Sequence, residues 1–396
     1  MAAGLTLNAN VTANFDTIAF DAIQIGPAKS DDGAAGAATL TGSASLTLGA
    51  AMSAKADLEA PSIDLDQMAG GDVRGAIRNA VPFRIAAALL KDLPQGVTFD
   101  SHLKIASLRA GGENLDNVEV ALAGNNDMLK LDRLHASGIG RSEMLLTGNY
   151  VPGGEGGEFT GTLSLDSGDL RQLTGWLWPA GKERLAGVWA GERGRVKLES
   201  DVSFRPSRLR FAKTRYELDG VAGSGDLVVG LGEHKSVDLR IDTDLLDVDR
   251  YVSARNPAAF PALLAALVPA EDAADLRLTL QSKQLQLNGM EAEDIALDLA
   301  ANASGLELRT VQIGSAGGAR LDASGLILRN SQGQDSSIGV EVKAEDPRGL
   351  LRLAGLMPVD REPVWSGALG PTQMTGTLTF KQVDAKPSIN VDLTGT

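Results

Sequence analysis

Cysteine is absent from the 396 residues, which excludes disulfide bridges and thiolate metal sites and is compatible with an oxidising compartment. Histidine occurs three times, as His102, His135 and His234, in unrelated contexts without HExxH or any paired ligand spacing, so no metal site is expected. Positive charge is in deficit: 37 Lys and Arg stand against 51 Asp and Glu, a net −14. Nucleic-acid binding draws its energy from clustered Lys and Arg and is excluded as a partner class. The same charge repels anionic lipid headgroups, so contact with a membrane would have to run through apolar surface or through an anchor outside this sequence.

Long apolar runs are also lacking. Residues 33–54 carry no charge, yet they are mostly Gly, Ala, Ser and Thr and alternate as TLTGSASLTL, the pattern of a strand and not of a membrane span. No signal peptide is read, and strand-like sequence begins almost at once, at Leu5-Thr-Leu-Asn-Ala9. The expectation is that an amino-terminal membrane anchor lies outside this sequence. Catalytic motifs are missing in the same way. There is no GxSxG elbow, and the nearest approach to a phosphate loop, Gly175 to Lys182, has the wrong spacing and Glu183 where Ser or Thr is needed. No enzyme activity, cofactor or metal is expected.

What the chain does have is a copy of itself. Residues 115–131, LDNVEVALAGNNDMLKL, run without a gap against 292–308, AEDIALDLAANASGLEL, Asn117 aligning with Asp294 at an offset of 177. The register extends to Gly148 with Gly325 and to Asp169 with Asp346. The sequence thus predicts one elongated body over residues 1–396, built from repeat units of approximately 50–226 and 227–396.

Period-two alternation dominates both copies, as in Val118-Glu-Val120-Ala-Leu122, Leu129-Lys-Leu131, Ile295-Ala-Leu297-Asp-Leu299 and Leu306-Glu-Leu308. Such alternation puts apolar side chains on one face of a strand and polar ones on the other. Aromatics make up 4% while glycine numbers 46, which suits many short strands joined by tight turns. Gly124-Asn-Asn-Asp127 and Ala303-Ser-Gly305 read as such turns, so neighbouring strands are expected to be hairpin-linked and antiparallel.

Helical pattern is confined to Pro82–Leu93, Leu170–Leu177, Pro257–Val268 and Arg348–Leu356. The first and third follow related acidic strand ends, Ser62-Ile-Asp-Leu-Asp66 and Leu245-Leu-Asp-Val-Asp249, and the others follow Asp169 and Asp346. Asp at such a junction accepts hydrogen bonds from the orphan amides of a helix start. Asp242, Asp244, Asp247 and Asp249 lack the Gly and Glu of a calcium loop and read as a solvated strand face with a helix cap. Trp176 and Trp178 read as core packing of a short helix.

So few helices leave most of a one-faced sheet to be covered in another way. It can fold into a sandwich, close into a barrel, curl around a filler helix, or remain a trough that holds a ligand on its apolar face. The apolar face is therefore the functional candidate, carried by Val118, Val120, Leu122, Leu129, Leu131, Ile295, Leu297, Leu299, Leu306 and Leu308.

Thr160-Gly-Thr-Leu-Ser-Leu-Asp-Ser-Gly-Asp-Leu-Arg-Gln-Leu173 with the flanking Leu146-Thr-Gly148, Leu245-Leu-Asp-Val-Asp-Arg-Tyr251, and the segment from Leu306 to Leu321-Asp-Ala-Ser-Gly325 carry a resemblance. Their order and spacing over the whole chain resemble the AsmA-like family of proteobacterial envelope proteins. The resemblance implies a mostly β fold: an elongated, curled antiparallel sheet, a taco-like β-groove with a few short helices. It also implies a periplasmic location, anchorage in the inner membrane, and bridge-like transport of phospholipid or another acyl lipid between the inner and outer membranes. An envelope assembly factor that guides outer-membrane β-barrel proteins by strand-edge pairing is the alternative reading. A β-solenoid would show a repeat of about 20–25 residues, which the long period opposes.

Overall fold

Alternation over nearly the whole chain leaves little choice of element. The structure, a computed structural model, describes residues 5–27, 40–49, 51–68, 71, 81–154, 156–177, 194–251, 274–287, 289–328, 336–353, 357, 361–383 and 386–395. Strands hold most of them, with a few short helices. The chain divides into two compact units, Met1–Leu177 with Arg195–Phe211, and Trp178–Gly194 with Ala212–Thr396.

In the first unit β1 (Leu5–Ala13), β2 (Thr17–Pro27), β3 (Leu40–Thr47) and β4 (Met52–Asp64) form an antiparallel meander. A link containing α1 (Leu65–Met68) and α2 (Val81–Asp92) leads to β5 (Val97–Ala110). The meander then continues through β6 (Glu113–Gly124), β7 (Leu129–Ser137), β8 (Ser142–Val151) and β9 (Glu158–Ser167). Helix α3 (Leu170–Leu177) precedes β10 (Val196–Arg205), which pairs antiparallel with β9. The ladder is open: among the described residues no pairing joins β1 to β10.

Strand β11 (Arg208–Leu218) straddles the boundary between the units. The second unit holds β12 (Val221–Gly230), β13 (Ser236–Asp247), α4 (Val248–Tyr251), β14 (Asp275–Leu287), β15 (Met290–Asn302) and β16 (Gly305–Ala316). It ends with β17 (Ala319–Leu328), β18 (Ser336–Ala344), α5 (Arg348–Leu353), a 3-10 turn (Val364–Ala368), β19 (Thr372–Val383) and β20 (Lys386–Gly395). Its strands pair in sequence order from β12 to β20, again as an open ladder.

The expectation of a wholly antiparallel sheet is corrected at two ladders. β4 pairs parallel with β5, Met52 opposite Val97 through to Asp64 opposite Arg109. β13 pairs parallel with β14 in the same way, Ser236 opposite Asp275 through to Asp247 opposite Gln286. Each falls where the chain leaves a strand at an acidic junction and spends a long link before the next strand. A link of a dozen residues or more carries the chain back to its starting end, which a tight hairpin cannot do.

Three of the expected helices lie within a residue or so of their places: Val81–Asp92, Leu170–Leu177 and Arg348–Leu353. Residues 354–356 of the last, and the whole of Pro257–Val268, lie outside the described residues. Helix α2 ends against the β6–β7 turn, where the Asn126 side-chain amide donates to the carbonyls of Leu90 and Leu93. Those are two of the orphan acceptors that every helix end leaves.

Strand by strand, β1–β9 recur as β10–β18, but the offset shrinks along the unit. Ala22 in β2 and Lys213 in β11 both take left-handed backbone, φ 52° and 50°, at an offset of 191. Asp64 and Asp247 end β4 and β13, at 183. Asn117 and Asp294 are again left-handed, φ 50° and 54°, at 177. The ladders at Ala22 and Asn117 are irregular there, each a β-bulge with one extra residue on the strand of the left-handed residue.

Candidate functional site

Along β5, Val97, Phe99, Leu103 and Ile105 turn to one side, while Thr98, Asp100, His102 and Lys104 lie exposed on the other. The exposed side is dressed with ion pairs: Arg133 with Glu119 at 3.2 Å, Arg195 with Asp166 at 2.8 Å, Arg277 with Asp298 at 3.2 Å and Lys283 with Asp244 at 2.6 Å. Exposed pairs contribute about 0–1 kcal/mol each, so this face keeps the sheet wet more than it holds the sheet together.

The apolar side holds the ten candidate residues, and none of them is exposed. Val118, Ile295, Leu299, Leu306 and Leu308 are buried. Val120, Leu122, Leu129, Leu131 and Leu297 are half-buried. Val118 belongs to a cluster with Ala60, Ile105, Leu108 and Ala136, flanked by Ile63, Leu65 and Met144. Ile295 sits in its counterpart with Leu285, Ala292, Ile313 and Ala316, flanked by Leu246, Val248 and Leu321. Each cluster is closed by the first residue of a one-turn helix, Leu65 of α1 or Val248 of α4. Leu299, Leu306 and Leu308 pack with Ala301 and Ile338 in a separate group.

Between such clusters the face is only half covered. β3 and β12 contain no buried residue at all, although Leu40, Leu46, Leu227 and Val229 point apolar groups from them. Leu103, Leu146, Leu163, Leu165, Leu198, Leu239, Ile241 and Leu278 are likewise half-buried. In the first unit, aromatic residues that sequence reasoning passed over close the far end of this strip. Tyr150 and Leu90 of α2 are buried against Phe99, Leu129, Phe159 and Phe204. A signal for three of these rings was a glycine beside each: a Cβ on Gly124 would stand 3.0 Å from the Phe99 ring, one on Gly148 2.6 Å from Phe159 and one on Gly157 2.7 Å from Tyr150.

The acidic junctions resolve into a repeated clamp. Asp64 accepts from the Gln67 amide at 2.8 Å and Asp247 from the Arg250 amide at 3.2 Å, so both act as helix caps. Two residues on, Asp66 accepts from the amides of Gly111 and Gly112 at 2.9 and 2.8 Å, and Asp249 accepts from the Gly289 amide at 2.6 Å. Each ties its one-turn helix to the hairpin turn after the following strand. Asp169 caps α3 through the Gln172 amide at 3.0 Å. Asp346 caps α5 through Arg348, whose side chain and amide hold its carboxyl down to about 2. The four aspartates of residues 242–249 are thereby divided: Asp242 and Asp244 are exposed, and Asp247 and Asp249 work in the junction.

No protein-family model, curated protein or solved structure matches the chain. Its chemistry is therefore weighed from its own groups. The histidines stay apart from one another in role. His135 meets Glu143 at 2.7 Å and the Asn117 carbonyl at 3.3 Å, His102 meets Asp57 at 3.2 Å, and His234 is exposed. Among the described residues no group of three His, Asp or Glu side chains is placed to hold a metal ion. Trp176 donates its indole N–H to the Ala110 carbonyl at 2.8 Å, fixing α3 to the end of β5, while Trp178 lies outside the described residues. A shallow depression lined by Arg109, Glu113, Asn114, Asp116 and Gln172 is polar and lies at the turns, away from the half-covered strip. Among the described residues no helix is long and apolar enough to cross a membrane.

Proposed function

We propose that the apolar face of each unit holds the acyl chains of phospholipid, and that the protein works as a periplasmic, bridge-like lipid carrier between the inner and outer membranes. The observation that supports this reading is the strip of half-buried aliphatic side chains that the described helices leave uncovered. Burial of an acyl chain is worth about 0.8 kcal/mol per methylene. A tail lying on Val120, Leu122, Leu129 and Leu131 in the first unit, or on Leu297 and its neighbours in the second, would gain many small, similar increments and meet no single deep well. Sliding from strand to strand then needs no chemistry, and a curled, taco-like sheet would leave the headgroup in solvent. The buried members, such as Val118 and Ile295, serve as the floor that sets the strip in place.

Two aspartates test the reading. Val120→Asp together with Leu297→Asp is expected to reduce co-purifying phospholipid, counted by native mass spectrometry, by at least about tenfold, since a buried unpaired carboxylate costs several kcal/mol. Glu119→Lys, on the opposite face and paired with Arg133 at the surface, leaves lipid loading unchanged. Equal loading in all three proteins refutes the proposal.

A further inference from the structure

β1 occupies the place in the nine-strand unit that β10 and β19 occupy in the next ones. Ala22 and Lys213, the left-handed residues of the following strands, fix the correspondence. It equates Leu7 with Leu198 and Val11 with Val202. β10 is covered on that edge by β9, with Leu198 opposite Leu165 and Val202 opposite Gly161. β19 is covered by β18 in the same register, with Met374 opposite Val342 and Leu378 opposite Ile338. Among the described residues β1 pairs with β2 alone.

The missing neighbour shows in the side chains. Leu7 and Val11 are 63% and 58% exposed, whereas Val202 is 8% exposed. A strand meant to stay at an edge is ordinarily blunted by Lys, Pro or inward charge. β1, Leu-Thr-Leu-Asn-Ala-Asn-Val-Thr-Ala, carries none of these, and the bulge between β1 and β2 sits on β2 at Ala22.

We infer that the free edge of β1 accepts an antiparallel strand of the β9 and β18 kind, supplied by a further nine-strand unit. The register is set by the two internal examples: the residue in the Leu165 or Val342 position lies opposite Leu7, and that in the Gly161 or Ile338 position opposite Val11. Main-chain hydrogen bonds along the edge supply affinity, and the alternate side chains covering Leu7 and Val11 supply selectivity.

The absence of native cysteine makes a disulfide register test clean. A synthetic peptide of residues 336–353 carrying Val342→Cys or Ile338→Cys is incubated in a glutathione buffer with the full chain carrying Leu7→Cys or Val11→Cys. The matched pairs, Leu7 with Val342 and Val11 with Ile338, are expected to cross-link at least about tenfold faster than the swapped pairs. Four residues of slip along a strand separate the sulfurs by roughly 13 Å, beyond disulfide reach. The same cysteine pairs are also built into one chain, with residues 336–353 fused through a flexible linker ahead of Leu5. Matched preference in either format sustains the inference. Matched and swapped pairs reacting alike in both, or a scrambled peptide reacting as fast as the matched one, overturns it.

Discussion

At the residue scale, aspartate carries the architecture. Asp66 and Asp249 each bind backbone amides of a distant turn, and charge-assisted bonds of this kind contribute about 1.5–3 kcal/mol. Asp66→Ala is expected to lower stability by about 1–3 kcal/mol in urea denaturation, and Asp249→Ala to lower it similarly. Asp346 gives a pH signature. Its folded-state carboxyl lies at about 2, below the ordinary 3.8, so its stabilisation is complete above the ordinary value and is lost as pH falls toward 2. Asp346→Asn is expected to flatten the pH dependence of the urea midpoint between those values and to leave its slope near neutrality unchanged. Asn117 is a conformational test. A left-handed backbone costs a β-branched residue roughly 1–2 kcal/mol, so Asn117→Val is expected to be destabilised by about that much, whereas Asn117→Gly stays near wild type.

At the element scale, the hairpin turns and helix starts lock together. A Cβ on Gly140 would stand 2.6 Å from the Asp169 carbonyl, and one on Gly317 would stand 2.8 Å from the Gly349 Cα. Both glycines also have positive φ, 66° and 58°, so each turn comes close to its helix only as glycine. Gly317→Val is expected to displace α5 and to raise hydrogen exchange in residues 348–353 selectively, with β14 and β15 unaffected. Much of this scale was legible in the sequence. The alternation Val118-Glu-Val120 placed β6 and its apolar face, and Asp169 placed the start of α3. The two parallel ladders were not legible, because the pattern of β4 is satisfied by a neighbour running either way. Direction is decided by the link of residues 65–96, whose own sequence shows a helix and not where the chain returns. The aligned 177-residue repeat left out β1 and β2 for a related reason: the links ahead of β3 and β5 differ in length from those ahead of β12 and β14, and the offset drifts from 191 to 177.

At the scale of the whole molecule, charge and apolar surface divide the work. The candidate face could be read from period two alone, but which of its members stay accessible could not. Val118 and Val120 are indistinguishable in pattern, yet Val118 is a buried member of the cluster that Leu65 flanks, and Val120 stands half-buried at its margin. The net charge of −14 predicts how the proposed carrier meets membranes. Lipid uptake from vesicles rich in anionic phospholipid is expected to be slower than from zwitterionic ones at 10 mM salt, and the two rates are expected to converge at 0.5 M, where the Debye length shrinks to a few ångströms. A fluorescent-lipid transfer assay at both ionic strengths measures this.

The parallel ladder between β4 and β5 settles a question of parity. Nine strands that alternate strictly would hand the chain on pointing the wrong way, so that a tenth would run opposite to the first. One parallel pair among nine absorbs the odd step, and through the ladders of the first unit β10 runs in the direction of β1. A segment that resets its own heading can be duplicated in tandem, each copy entered by a strand that runs the same way as its own first. A plain meander of the same strand number would reverse that heading at every copy. Gain or loss of a single strand is therefore a far larger change to this protein than gain or loss of nine.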